Sequence, residues 1–180
     1  MSIAEIFVAR SRYWLTKEYP IKLRHCLNAL PRGAVWARPN QDSNSVGNLL
    51  IHLTGNVTEW ILGGVGGRSY KRYRAGEFAQ RDGADASKLM DDLEAVLREV
   101  DRVLAGLTEK DLERSVVIQE RETNVLGAIY HVVEHFAMHT GQIVFLTKLY
   151  APGRIQFYEE AGGVARPTWH RGTALDEAPH

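Results

Sequence analysis

The chain has 180 residues, with 22 Lys plus Arg against 22 Asp plus Glu, so its formal net charge is zero. That balance, without a long run of like charges, argues against nucleic acid as a partner, because a phosphate-tracking surface needs a basic excess. With 44% hydrophobic and 24% charged residues, the composition is that of one globular domain rather than a disordered chain. The single cysteine, Cys26, excludes internal disulfides and any zinc site built from several thiolates. The opening run MSIAEIFVARSRYW carries Glu5 and Arg10 and lacks an apolar stretch, so it does not read as a signal peptide. No segment is long and apolar enough for a membrane helix, and the expectation is a soluble, cytoplasmic protein without a membrane partner.

Helical periodicity dominates the chain. The first helix opens with Ser2 and Glu5 at capping-box spacing and carries Ile3, Ile6, Phe7, Trp14, Leu23, Leu27 and Leu30, with Pro20 expected to kink or split it. Pro31 and Gly33 end it, and a Pro/Asn/Asp/Ser loop follows. The second helix starts at Asn44 or Ser45. Its Val46, Leu49, Leu50, Leu53, Val57, Trp60 and Ile61 form one core-facing stripe that stops at Gly63 and Gly64. The glycine-rich connection that follows reads as a long loop with a short helical middle, and loops of that length are more often functional than idle.

A third helix spans Asp85 to about Leu107, with Leu89, Leu93, Val96, Leu97, Val100, Val103, Leu104 and Leu107 inward. Thr108 and Asp111 cap a short turn, and Ser115 to Ile118 is a brief extended candidate. The fourth helix is capped at Thr123 or Asn124 and ends before Pro152 and Gly153. The fold class is therefore all-α, a four-helix bundle with long crossover connections over residues 1–153. Residues 154–180 read as a C-terminal extension, mostly coil, fraying near Ala178, Pro179 and His180.

Seven histidines are present, and His131, His135 and His139 recur every four residues on the fourth helix. Steps of four keep side chains on one face with a drift of about 40° each. The three line the shoulder of the buried stripe formed by Ile129, Val132, Phe136 and Ile143. Two imidazoles at i and i+4 can converge on one metal ion. A third ligand must come from elsewhere, and His52 on the second helix lies on a comparable shoulder, in line with Asn48, Asn56 and Glu59. A competing pattern is His131, Glu134 and His135 in the order H-x-x-E-H, with Glu134 as a general base. It leaves His139 and His52 without roles. Trp60 sits at core spacing, whereas Trp36 is a candidate for closing a pocket mouth.

The runs SNSVGNLLIHLTGNVTEWILGGVGG, RYRAGEF and HVVEHFAMHTGQIVFLTKL, in that order, resemble the DinB superfamily, nearest to a branch of uncharacterised bacterial proteins, across residues 5–150. The resemblance implies a DinB/YfiT-like four-helix bundle with a divalent metal held by His52 from the second helix and the pair His135 and His139 from the fourth. It leaves His131 as a pocket residue one turn away. It also implies a homodimer, and, since some members of the superfamily are thiol transferases using bacillithiol or mycothiol, a metal-dependent transfer of a low-molecular-weight thiol to an electrophilic small molecule. Three imidazoles leave an open position on zinc, the first choice of metal, or on nickel, manganese or iron. A metal-dependent hydrolase is the alternative enzyme, and a non-enzymatic metal-dependent binding or stress-response module the alternative of another class. Asn48, Asn56, Glu59, Arg72, Arg74, His131 and Gln142 are the residues expected to orient ligands or substrate, the arginines by meeting an anionic group. Cys26 reads as a small core residue, so any reactive thiol must come from outside.

Overall fold

The computed structural model describes residues 1–173, which form a predominantly helical fold with two small antiparallel hairpins. The first helical stretch runs as α1 (Ile3–Tyr13), a π-helical turn (Trp14–Glu18) and α2 (Tyr19–Ala29) without a break. Ser2 and Glu5 make the expected capping box, each side chain meeting the other's backbone N–H. The split expected at Pro20 does not occur. The Tyr19 N–H bonds back five residues to the Trp14 carbonyl, and Pro20 sits in the first turn of α2. The wider turn gives the proline ring the room that a regular i−4 carbonyl would deny it.

After a short 3-10 turn (Ala34–Trp36), α3 (Val46–Val57) starts at a capping box between Ser45 and Asn48. It continues as a second π-helical segment, Thr58–Val65, and so runs past the glycine pair expected to end it. The long connection contains α4 (Arg74–Ala79) and leads through the N-cap Asp85 into α5 (Ala86–Ala105). On α5, Leu89, Leu93, Leu97, Val100 and Leu104 are buried as the periodicity requires, whereas Val96 and Val103 are partly buried at the edge of the core. Then α6 (Glu109–Glu113), capped by Thr108 and Asp111, precedes β1 (Ser115–Ile118), which pairs with β2 (Arg121–Asn124). The strand β2 lies where only a helix cap was expected. Its last residue, Asn124, caps α7 (Val125–Tyr150) by accepting the Gly127 N–H.

The helix α3 packs on α5 and α7, α2 packs on α7 and α5, and α1 lies against α5. Their shared core holds Leu15, Leu23, Leu50, Leu53, Met90, Leu93, Ile129, Phe136 and Ile143, all closed to solvent. Among the described residues no helix is long and apolar enough to cross a membrane.

The described part of the C-terminal extension is not mostly coil. Residues of β3 (Tyr158–Ala161) and β4 (Val164–Pro167) form a hairpin, followed by a 3-10 turn at Thr168–His170 that docks on α2. Trp169 is buried there and donates from Nε1 to Glu18 Oε1 (2.8 Å), while His170 Nε2 lies 2.7 Å from Glu18 Oε2. Burial of one tryptophan anchors a strand pair too short to announce itself by alternation. The fraying expected at Ala178 to His180 lies outside the described residues.

Candidate metal centre

On α3 the residues Asn48, His52 and Asn56 succeed one another at i+4, and on α7 so do His131, His135 and His139. Both lines lie where α3 and α7 pack together. His52 meets His135 and His139, while Trp60, further along α3, meets His131 at a ring separation of 4.0 Å. The two helices are therefore antiparallel at this point. His52 Nε2 and His135 Nε2 are 2.9 Å apart, and one nitrogen from each of His52, His135 and His139 lies within 4.8 Å of the others. His52 and His139 are buried and His135 is half-buried, so the cluster has one side toward solvent.

The protons on these rings are set by what lies behind them. His52 Nδ1 is 2.8 Å from Glu77 Oε2, and Arg72 donates to the same carboxylate through Nε (2.6 Å) and Nη2 (2.7 Å). Arg72 Nη2 also donates to the His52 carbonyl (3.2 Å), and Nη1 to Glu59 Oε2 (3.1 Å). Arg72 Nη2 also lies 2.9 Å from His52 Nδ1, but an ionised carboxylate only accepts, so the proton between Glu77 and His52 is assigned to Nδ1. Nε2 is left as a lone pair aimed at His135. His139 repeats the arrangement, its Nδ1 donating to Gln142 Oε1 (2.8 Å). A ring nitrogen tied to a carboxylate or amide oxygen, with the other nitrogen free, is how metal-binding histidines are commonly held.

Electrostatics agree with that assignment. Burial pushes the His135 imidazolium down to about 3, helped by His139, His52 and His131. Burial also lowers His139, against the Gln142 hydrogen bond. Burial raises the Glu77 carboxyl, but the hydrogen bonds from His52 and Arg72 outweigh it and leave the group below its ordinary value. His135 and His139 are thus held in the neutral form that binds metal, and Glu77 is ionised. Three imidazole nitrogens on two helices, two of the rings oriented from behind, suit a divalent cation of the imidazole-binding kind.

The short segment carrying Arg72 and Glu77 lies against α3 at Gly55. A Cβ there would collide with Glu77 Oε1 and stand 2.9 Å from Arg72 Nε. Asn48 fastens the same segment from the other side. Its Nδ2 donates to the carbonyls of Glu77 (2.8 Å) and Gln80 (2.9 Å), and its Oδ1 accepts from Arg38 (2.7 Å). Asn48 is therefore saturated by protein partners rather than open to a substrate.

Other expected residues divide in the same way. Arg72 is spent on Glu77, Glu59 and His52, whereas Arg74 is exposed with its guanidinium over Phe78 (5.0 Å). Glu59 accepts from Arg72 and Gln119 and meets no histidine. His131 stacks on His135 at 5.4 Å but stands outside the three-nitrogen cluster. Glu134 is exposed, so the H-x-x-E-H reading finds no general base beside the cluster. Trp36 closes no pocket mouth, because its ring packs on Gly47 and its Nε1 donates to the Ala84 carbonyl. Phe78, with its ring 4.6 Å from His52, and Arg38 were not foreseen. Neither position follows from periodicity, because both depend on how the long connection folds back.

Fold and site define a helical protein with a histidine cluster able to hold one metal ion. The chain belongs to the family described as Protein of unknown function (DUF1572), which it matches over residues 4–157. Comparison with curated proteins gives no match.

Proposed function

We propose that this protein is a metal-dependent enzyme of the DinB superfamily, a cytoplasmic four-helix bundle of the DinB/YfiT type that transfers a low-molecular-weight thiol to an electrophilic small molecule. The observation that carries the reading is the three-histidine cluster, whose nitrogens converge and whose His135 is only half-buried. His52, His135 and His139 hold the ion, Glu77 and Gln142 fix two of the rings, and Arg72 fixes Glu77. Bound there, zinc, or failing that nickel, manganese or iron, would supply the Lewis acidity that ionises a thiol near neutral pH.

Two features favour an imported thiol over hydrolysis. The carboxylates near the cluster, Glu77 and Glu59, are both committed to Arg72, which leaves no free carboxylate beside it among the described residues. Cys26 is fully buried, and burial pushes its thiol up to about 11, so it offers no sulfur of its own at neutral pH. Arg74, exposed near His139, would meet an anionic group on the thiol or its acceptor.

The test is metal analysis of untagged protein beside His135→Ala, followed by assays of the loaded protein with bacillithiol, mycothiol and glutathione against a generic electrophile. The native chain is expected to hold one divalent ion and turn over with at least one thiol, and the variant to lose both. No stoichiometric ion in the native chain refutes the metal site, whereas an ion without turnover refutes thiol transfer alone.

A further inference from the structure

Four residues of α3 and its π-helical extension, Asn48, His52, Asn56 and Trp60, stand at successive intervals of four. The π segment from Thr58 lessens the angular drift that a regular helix would give Trp60, keeping it close to the line of the others. Along this line His52 meets His135 and His139, and Trp60 meets His131. By its spacing Asn56 stands on this line between His52 and Trp60.

The two asparagines flanking His52 differ sharply. Asn48 uses its amide oxygen and both amide protons on protein partners. Asn56 is 3% exposed, its Oδ1 is shut off from solvent, and among the described residues nothing hydrogen-bonds to its amide. One step further on, Trp60 is 5% exposed, with Nε1 also buried and unpartnered. Buried polar groups nearly always find partners, and leaving them without one is costly. Two such groups, one turn apart on the line that carries His52, stand ready for a partner that the protein itself does not supply.

We propose that Asn56 and Trp60 form a polar subsite for the small molecule that enters the histidine site. This rests on the metal reading above and deepens it. The subsite takes a compact group carrying both a donor and an acceptor. Its N–H or O–H is received by Asn56 Oδ1, and its oxygen accepts from Trp60 Nε1 and the Asn56 amide. The shared line with His52 holds that group beside the half-buried His135.

The experiment compares native protein, Asn56→Leu and Trp60→Phe, each loaded with cobalt and titrated by visible absorption with acetohydroxamate, which has donors and an acceptor, and with thiocyanate, which has no donor. Metal content is measured first. All three proteins are expected to hold one ion, and Asn56→Leu to bind acetohydroxamate about 10-fold more weakly with thiocyanate changed by less than about 2-fold. Trp60→Phe, which removes one N–H and keeps the ring against His131, should shift acetohydroxamate in the same direction. Thermal melts of the metal-free proteins supply the readout a structural asparagine would not give. Asn56→Leu should melt higher than native, because an unsatisfied amide is replaced by an apolar group of similar shape. Equal acetohydroxamate affinity in all three loaded proteins, or a lower melting temperature for metal-free Asn56→Leu, overturns the subsite while leaving the metal centre standing. A native protein that holds no ion overturns both.

Discussion

At the scale of single residues, Glu77 decides whether His52 can serve as a ligand. Its carboxylate receives the His52 Nδ1 proton and is balanced by a two-point bond from Arg72, with the two charged side chains 7% and 4% exposed. Removing one partner of a buried pair strands the other, at a cost of about 3–5 kcal/mol. Glu77→Gln keeps the shape and removes the charge, so it is predicted to weaken divalent-metal affinity about 10–100-fold and to lower the unfolding midpoint. Competition with a chelating dye and a urea titration would check the two effects. Because the Glu77 pKa is depressed on folding, its contribution is present above the ordinary carboxylate value and lost as pH falls through the folded one. Cys26 is the opposite case. Its thiol is raised to about 11, so alkylation by iodoacetamide should be negligible at neutral pH and should rise only as pH climbs toward that value or the chain unfolds. Mass spectrometry showing rapid labelling of the folded protein at neutral pH would contradict this.

At the scale of elements, the centre depends on a loop lying flat against a helix. The connection from Gly66 to Asp85 is long, yet Asn48 and Arg38 bind its carbonyls, and Gly55 lets the pair of Arg72 and Glu77 approach the α3 backbone. Alanine at position 55 would gain about 1 kcal/mol of helix propensity but would overpack against a buried ion pair, a penalty of about 1–3 kcal/mol. The second effect wins. Gly55→Ala is therefore predicted to lower both stability and metal affinity, although the residue touches no ligand. A metal titration unchanged from the native protein would show that the segment relaxes freely.

At the scale of the whole molecule, two surfaces remain to be accounted for. Glu18, in the first π-helical turn, ties down the C-terminal hairpin through Trp169 and His170. Along α7, Leu126, Tyr130, Met138, Phe145 and Leu149 are exposed on one side of the helix. An apolar stripe of that length on a surface helix suits an interaction face, the kind of surface that the homodimer implied by the superfamily resemblance would use. Phe145, the most exposed of the five at 66%, is the residue to change. Phe145→Glu is predicted to convert a dimer into a monomer in sedimentation velocity with the helical circular dichroism unaltered. Native protein sedimenting as a monomer would refute the homodimer that the resemblance implies.

Much of this was legible in the chain itself, because it depends on local periodicity. Spacing of four placed His131, His135 and His139 on one face of a helix, Ser2 and Thr108 marked helix starts, two others were narrowed to Asn44 or Ser45 and Thr123 or Asn124, of which the structure uses Ser45 and Asn124, and the apolar stripes marked the core. Likeness to a known superfamily then singled out His52, His135 and His139, the residues whose nitrogens converge. Other features depend on contacts between segments distant in sequence, and only the tertiary structure decided them. A periodic pattern shows which way a side chain leaves its helix but not what a loop twenty or more residues away brings to meet it. Hence the separate fates of Arg72 and Arg74, the saturation of Asn48 beside the empty amide of Asn56, and the pairing of Glu77 with His52 were unreadable beforehand. The buried hairpin anchor was hidden for the same reason, since the value of Trp169 lies in Glu18, 151 residues away.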